Sequence, residues 1–310
     1  MNSTSLFYTR RINALYGLRK ASYFWLLTQL QRKRFADWFG FVDAALPADM
    51  AELYKIRLAM RPAFRFMNPR FCASDRIKAL TCHYAVFREK FPAAAFAALL
   101  REEAGCKLAE ITGKSGAKYI FETRGEVTKE GVVRIVMIDA ETGFNLAILA
   151  GILAHNSDGK LAFHIGMLRG PGQGVPDGKD MVVKTTKDLN GLRPKQAVLH
   201  AAAAFAGWFG AKEIIAPCSD KEIAMKNLLK GHKVLANHDP FWQEFADAPA
   251  PDGLYHLPLP LPRRNIDDVQ QKRRKDWRAR YAHIDHFSTD LSDALSALSG
   301  EESNHAVRAS

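Results

Sequence analysis

The spacing of apolar residues changes near Gly105, and this change divides the chain into a helical part and a strand-rich part. In the first part, apolar residues recur every three or four positions, which is the period of amphipathic helices. The clearest series consists of Tyr23, Phe24, Leu27, Leu30, Phe35 and Trp38. Further helices are predicted at 48–60, 74–91 and 93–104, so residues 1–105 are interpreted as a helical N-terminal region.

After Gly105 the apolar residues alternate with polar ones or form short runs, as they do in strands. The predicted strands are 107–112, 119–123, 132–138, 145–153 and 161–168. The breaks between them are short, polar and rich in glycine, which is typical of hairpin turns. The pattern therefore predicts an antiparallel meander. From Lys179 onwards, helical runs surround one more apolar strand at 213–217.

The predicted fold class is α/β, of the α+β kind. The helical region at 1–105 precedes a central, mostly antiparallel mixed sheet at 106–262, and a basic C-terminal helix follows at 263–299. Residues 300–310 have no apolar pattern and are predicted to be a disordered tail.

The composition narrows the class of partner. A formal net charge of +11 and a pI near 9.5 favour anions, meaning a phosphorylated small molecule, an anionic lipid surface or a nucleic acid. Nucleic acid is the least expected of these partners, because no RNP sequence, KH loop or zinc-finger spacing accompanies the charge. The four cysteines form no CxxC pair, so neither a metal site nor a disulfide framework is predicted. The oligomeric state is left open.

The N-terminus has no apolar stretch of signal-peptide length, and the chain contains no long apolar span. We therefore expect a cytoplasmic protein whose membrane contact, where it exists, is peripheral at the inner membrane.

Two basic segments predict a site for a phosphorylated ligand. The first runs Arg169-Gly170-Pro171-Gly172-Gln173-Gly174 and follows the strand at 161–168, so its amides are free to surround an anion. The second places Arg193 and Lys195 around Pro194 at the start of a predicted helix, 196–208, whose N-terminus attracts phosphate. The candidate cofactor-binding residues are Arg169, Gly170, Gly172, Gly174, Arg193 and Lys195. The alternative is an ordinary turn, with the two cations solvated or paired with Asp188 or Glu213.

Three residues are candidates for catalysis, each with a structural alternative. His164 precedes the glycine-rich segment and is a candidate general base, although a strand histidine also serves as a core or surface residue. Tyr255 is a candidate proton donor or a buried structural tyrosine. Asp239 follows His238 as a candidate orienting carboxylate, or caps a helix that begins at Pro240.

Several phrases, in this order, resemble the VirK/YbjX family of bacterial proteins. They are Ile165-Gly166-Met167-Leu168-Arg169-Gly170-Pro171, Gly191-Leu192-Arg193-Pro194-Lys195, Asp239-Pro240-Phe241-Trp242, Tyr255-His256-Leu257-Pro258 and Lys272-Arg273-Arg274. The resemblance implies a role in envelope integrity, virulence and resistance to antimicrobial peptides in Gram-negative bacteria, without a reaction. Asn190 stands where that family often has a histidine before Gly-Leu-Arg-Pro, so no catalytic histidine is transferred to this position.

The chain also resembles the GNAT acyltransferase fold at a greater distance. Arg169, Gly172 and Gly174 match the Gln/Arg-x-x-Gly-x-Gly/Ala turn with which that family binds the pyrophosphate of acyl-CoA. The preceding antiparallel strands fit as well. The chain departs from the family at 175–194, which separates the turn from the helix that should follow it directly.

The GNAT resemblance implies an acyltransferase whose donor is acyl-CoA or acyl carrier protein. Together with the VirK/YbjX resemblance, it implies an acceptor related to the envelope. Two alternatives remain open. The first is a non-enzymatic adaptor that binds anionic lipid or a partner protein through aromatic N-terminal helices and the basic run at 272–280. The second is an RNA-binding regulator.

Overall fold

The computed structural model describes residues 3–47, 50–68, 71–101, 105–172, 174–219 and 237–300. Within these ranges six helices precede the first strand, which confirms the helical N-terminal region. They are α1 Ser3–Tyr16, α2 Leu18–Leu30, α3 Arg32–Ala45, α4 Glu52–Met60, α5 Ala73–Lys90 and α6 Ala93–Leu99, with a 3₁₀ turn at Arg61–Ala63 after α4.

The aromatic residues that repeat at helical spacing are the ones that pack these helices together. Phe24 of α2 and Phe35 of α3 are buried with their ring centroids 6.2 Å apart, and Tyr8 of α1 lies 5.0 Å from Phe39. The indole of Trp38 donates a hydrogen bond to the Ala59 carbonyl at 3.1 Å, which ties α3 to α4. Burial of side chains of this size is the main source of stability for such a cluster.

In the part of the chain that the structure describes, seven strands form one sheet whose order follows the sequence. They are β1 Cys106–Thr112, β2 Lys118–Gly125, β3 Val133–Asp139, β4 Asn145–His155, β5 Leu161–Arg169, β6 Glu213–Pro217 and β7 Leu254–Pro258. Neighbouring strands are antiparallel except β5 and β6, which are parallel. The predicted meander is therefore confirmed, and β7 is a strand that the sequence analysis did not predict.

The parallel pair requires a crossover, since two parallel neighbours cannot be joined by a tight turn. Two helices provide it: α7 Gly178–Asp188 and α8 Pro194–Trp208. The short α9 Asp239–Trp242 lies between β6 and β7, and α10 Gln271–Ser299 closes the described chain. The predicted basic C-terminal helix is thus present, but it begins at Gln271 rather than near 263.

The long strand β4 lies at the centre of the core. Its residues Leu146–Ala154 are all buried, because α8 packs against the strand and α5 supplies further cover. β3 pairs with β4 only as far as Gly151, and beyond that point the Leu153 N–H donates to Nδ1 of His83 on α5 at 3.3 Å. The helix thereby satisfies a backbone donor that the missing strand neighbour leaves open.

The C-terminal part of α10 packs against the rest of the protein. This part buries Ile284, Phe287, Leu291 and Leu295 against α8 and β1, with Phe287 stacked 4.5 Å from Phe121 of β2. Of the predicted tail at 300–310, Gly300 caps the end of α10, and residues 301–310 lie outside the described residues.

Asp188, at the end of α7, joins the crossover to the β1–β2 hairpin. Its carboxylate accepts hydrogen bonds from the Tyr119 hydroxyl at 2.8 Å and from the Ser115 N–H at 2.7 Å, and it leaves no room for a Cβ at Gly113. Burial opposes the charge, but the hydrogen bonds from Ser115 and Tyr119 outweigh it and lower the pKa of Asp188.

Replacement of Asp188 by Asn should lower the free energy of unfolding by about 1–3 kcal/mol, because an amide cannot accept both hydrogen bonds. The folded-state pKa lies below the unfolded one, so the stabilisation is present above the ordinary Asp pKa and is lost as the pH falls through the folded value. Denaturant unfolding of Asp188→Asn against the exposed control Asp247→Asn, as a function of pH, measures both effects. Equal stability of the two variants at neutral pH would contradict this assignment.

Candidate functional site

The parallel register brings the carboxyl ends of β5 and β6 to the same edge of the sheet. The crossover helix α8 runs back from that edge, so its N-terminus also lies there. Pro194 is the first residue of α8 and fixes the backbone for the first turn. This edge is where open α/β sheets generally bind ligands.

The charge of Arg193 is compensated by a carboxylate of the same chain at the protein surface. Its Nη2 donates to both carboxylate oxygens of Glu244, and its guanidinium lies 5.9 Å from the ring centroid of Phe241. Glu244 also accepts from the Gln196 side chain at 2.8 Å. The partner is therefore neither of the two carboxylates considered from the sequence. Asp188 holds the hairpin, and Glu213 bonds to Asn156 and His256.

Lys195 lies beside His238, the residue that directly precedes α9. Its Nζ is 3.2 Å from Nε2 of the buried His238, which makes the ring nitrogen a hydrogen-bond acceptor. The next residue, Asp239, accepts from the Ser219 N–H at 2.8 Å, and the His238 N–H donates to the Ser219 hydroxyl at 3.0 Å. These bonds fix the segment directly after β6.

Tyr255 belongs to the same neighbourhood. It pairs with Ala216 across β6 and β7, and its side chain is buried. Burial, with the nearby Asp239 adding to it, raises the pKa of Tyr255. Cys218 is also buried there and donates to the Gly253 carbonyl at 2.8 Å. The structure thus gathers Lys195, Asp239 and Tyr255 around the carboxyl end of β6.

The glycine-rich turn is open to solvent. Arg169, Gly172 and Gly174 are exposed, and a Cβ at Gly170, Gly172 or Gly174 would meet no atom within 4 Å. None of these three glycines has a positive φ. Neither the backbone conformation nor the packing of the protein therefore requires glycine at these positions. Glycine would, however, let a ligand approach the backbone closely. Gln173 lies outside the described residues.

The two basic segments share an edge but not a common contact. Arg193 contacts Glu244 and Phe241, and Lys195 contacts His238, and all three of these partners belong to the chain after β6. The chain that separates them includes α7. His164 lies five residues before Arg169 on β5, which is about 16 Å along the strand.

His164 belongs to a second polar group on one face of the sheet. His164 pairs with Ile215, and Ile215 pairs with His256, so their side chains point to the same side. Together with Met67 and Phe71 from the connection between α4 and α5, they line a cavity of about 190 Å³. Tyr255 precedes His256 on β7 and therefore points to the opposite face.

The pKa values of His164 and His256 are shifted in opposite directions. Burial lowers the pKa of His164 to about 4, and its Nε2 is buried without a hydrogen-bond partner among the described residues. Burial also disfavours the charge of His256, but hydrogen bonds to Glu213 at 2.9 Å and Asp252 at 3.1 Å outweigh it and raise the pKa of His256. At neutral pH, His164 is uncharged.

The basic run of α10 is only partly free. Arg274 donates to the carbonyls of Val269 and Asp267, and Arg280 stacks on Trp277 at 4.2 Å. Trp277, Arg280 and Tyr281 line a cleft of about 290 Å³ against Gln196 and His200 of α8. The exposed part of the run consists of Lys272, Arg273, Lys275 and Arg278.

Sequence reasoning missed Glu244 and His256. Alternation of apolar residues around Tyr255 and Leu257 was the available signal for β7, and it would have placed His256 on the face opposite Tyr255. No local pattern connects Glu244 to Arg193, because the two residues are far apart in the chain and meet only through the fold.

The model of the family described as "Protein of unknown function (DUF535)" matches residues 15–293. The chain belongs to the DUF535 family. The predicted VirK/YbjX membership is confirmed by a relative from Escherichia coli (strain K12), "Uncharacterized protein YbjX", which is 29% identical over 233 residues, 74% of this chain and 69% of the relative.

A second relative of this DUF535 chain, an "Uncharacterized protein" of Haemophilus influenzae (strain ATCC 51907 / DSM 11121 / KW20 / Rd), is 27% identical over 127 residues, 41% of this chain and 42% of the relative. No solved structure gives a significant match. Across the described residues, no helix combines the length and the apolar character needed to cross a membrane. In the same residues no three His, Cys, Asp or Glu side chains form a group that would hold a metal ion.

The imidazoles of His164 and His256 should titrate in opposite directions from the ordinary histidine pKa of about 6.5. His164 should titrate near 4, and its burial destabilises the fold as the pH falls from the ordinary value towards 4. The pKa of His256 should lie above its ordinary value. The contribution of His256 to stability is lost as the pH rises through this raised, folded-state pKa. Imidazole ¹⁵N–¹H NMR, with His164→Gln and His256→Gln for assignment, tests this. Titration of both rings near 6.5 is the contrary result.

Proposed function

We propose that this protein is an acyltransferase that uses a phosphorylated acyl donor, acyl-CoA or acyl carrier protein, and modifies an envelope-related acceptor. The observation that carries the proposal is the parallel pair β5–β6 in an otherwise antiparallel sheet. An exposed glycine-rich turn and the cationic start of α8 lie at the carboxyl edge of that pair.

The free side of β5 supports binding of the donor's pantetheine arm. The register with β6 ends at His164↔Ile215, whereas β5 continues to Arg169. Within the described chain, residues 165–169 therefore have no strand partner on the β6 side. A strand edge of this kind binds an extended chain that carries amide groups, which the pantetheine arm of CoA and of acyl carrier protein does.

The phosphates of the donor would bind at the end of this strand edge. The exposed turn offers the Arg169 guanidinium and backbone amides that no Cβ shields. Arg193 is held by Glu244, so in this proposal a phosphate competes with that carboxylate for the guanidinium. Lys195 contributes positive charge to the same edge.

Acyl transfer requires attack of an acceptor amine or hydroxyl on the thioester carbonyl carbon. The acceptor proton passes to a base, the C–S bond breaks, and the departing thiolate takes a proton. His164 is assigned as the base, because it is neutral at pH 7 and its Nε2 is not engaged by the described residues. Tyr255 lies on the opposite face and Asp239 accepts a hydrogen bond from the Ser219 N–H, so we assign both residues the positioning of the chain after β6.

Isothermal titration with CoA tests the donor site directly. Wild type should bind, and Arg169→Ala and Arg193→Ala should each bind about tenfold more weakly, because each removes a charge-assisted hydrogen bond to phosphate. Arg34→Ala is the matched control, since it removes an exposed arginine from α3 and should leave the affinity unchanged. Wild type that binds neither CoA nor acyl-CoA would refute the proposal.

A further inference from the structure

The N-terminal stretch that contains α1, α2 and the start of α3 carries positive charge and no negative charge. Residues 1–36 contain seven Lys and Arg residues and neither Asp nor Glu, and the first acidic residue is Asp37. The cations are Arg10, Arg11, Arg19, Lys20, Arg32, Lys33 and Arg34. Arg11 is paired with Glu52 of α4 at 2.8 Å, and Arg10, Arg19 and Lys20 give the surface of α1 and α2 a net positive charge.

The same two helices expose most of the large apolar side chains that the described structure leaves in water. Seven of its ten exposed large hydrophobic residues are on α1 and α2: Phe7, Leu15, Leu18, Tyr23, Trp25, Leu26 and Leu30. Leu18 is 72% exposed and Leu30 is 73% exposed. Single exposed leucines are ordinary, but seven large exposed apolar side chains on two consecutive helices indicate a contact with something other than water.

These residues are not needed for the core. α2 packs inwards through Ala21, Phe24 and Thr28. Leu18, Trp25 and Leu26 instead line a shallow groove of about 480 Å³ with Arg10 and Asn13 of α1. A surface helix that is apolar on its outward side as well as its inward side is suited to an environment that is not aqueous on either side.

We propose that α1 and α2 dock this protein on an anionic lipid bilayer. The exposed leucines and Trp25 would enter the boundary between headgroups and acyl chains, while Arg10, Arg19 and Lys20 contact the headgroups. A nucleic acid would use the cations but not the leucines. A second copy of this chain would cover the leucines but bring like charges together. The inference is independent of the proposed acyl transfer.

Cosedimentation with vesicles of phosphatidylcholine and phosphatidylglycerol tests the proposal. The wild-type protein should bind these vesicles, bind vesicles of phosphatidylcholine alone much more weakly, and dissociate as salt is raised. Arg19→Gln/Lys20→Gln should weaken partitioning about thirtyfold, since each surface cation contributes about fivefold. Leu18→Ser/Leu26→Ser/Leu30→Ser should also lose binding, and Trp25 emission should shift to shorter wavelength only when the protein is bound.

Two matched controls separate docking from general effects of charge and polarity. Lys272→Gln/Arg273→Gln removes two exposed cations from α10, and Val183→Ser removes an exposed apolar residue from α7. Both should bind vesicles as wild type does. All variants are at exposed positions, so circular dichroism and the Tm should be unchanged, and CoA titration of the α1–α2 variants should match wild type where wild type binds.

Three results would overturn the proposal. The first is vesicle binding that both α1–α2 variants retain. The second is the absence of vesicle binding together with a dimer, seen by light scattering, that the leucine variant abolishes; this outcome assigns the surface to a second copy. The third is the absence of vesicle binding together with salt-sensitive copurification of nucleic acid.

Discussion

The parallel register of β5 and β6 is the constraint on which the candidate site depends. A hairpin at this point would have sent β6 back along β5, and α8 would not have been required. The crossover instead brings the start of α8 and the ends of two strands to one edge. It also places His164 next to Ile215, and the pairing of β6 with β7 adds His256 to the same face of the sheet.

The elements that the sequence predicts well are those with a strong local period. The first five strands were each predicted to within two residues at either end, because alternation and glycine-rich turns act over a few positions. The crossover helix α8 was recognised from its apolar run and from Pro194. β7 was missed because it is short and carries Tyr255, which had been considered for its chemistry alone.

The site was predicted less completely, because its electrostatics depend on pairs that are distant in the chain. The cations at the start of α8 were recognised as needing an opposite charge, but local sequence does not select Glu244 over Asp188 or Glu213. Local sequence also does not show which candidate residues share a face of the sheet. His164 and Tyr255 were candidates for one reaction, yet the alternation along β7 separates them by the thickness of the sheet.

The turn between α7 and α8 couples two distant segments of the chain. Asn190 and Gly191 both have positive φ, at 55° and 82°, and a Cβ at Gly191 would collide with the Arg280 guanidinium. Arg280 donates to the Asn190 carbonyl, and the Asn190 side chain lies 3.2 Å from Nε2 of His283. A shift of the turn that leads into α8 would therefore have to break contacts with α10. The C-terminal helix thus restricts movement at the start of α8.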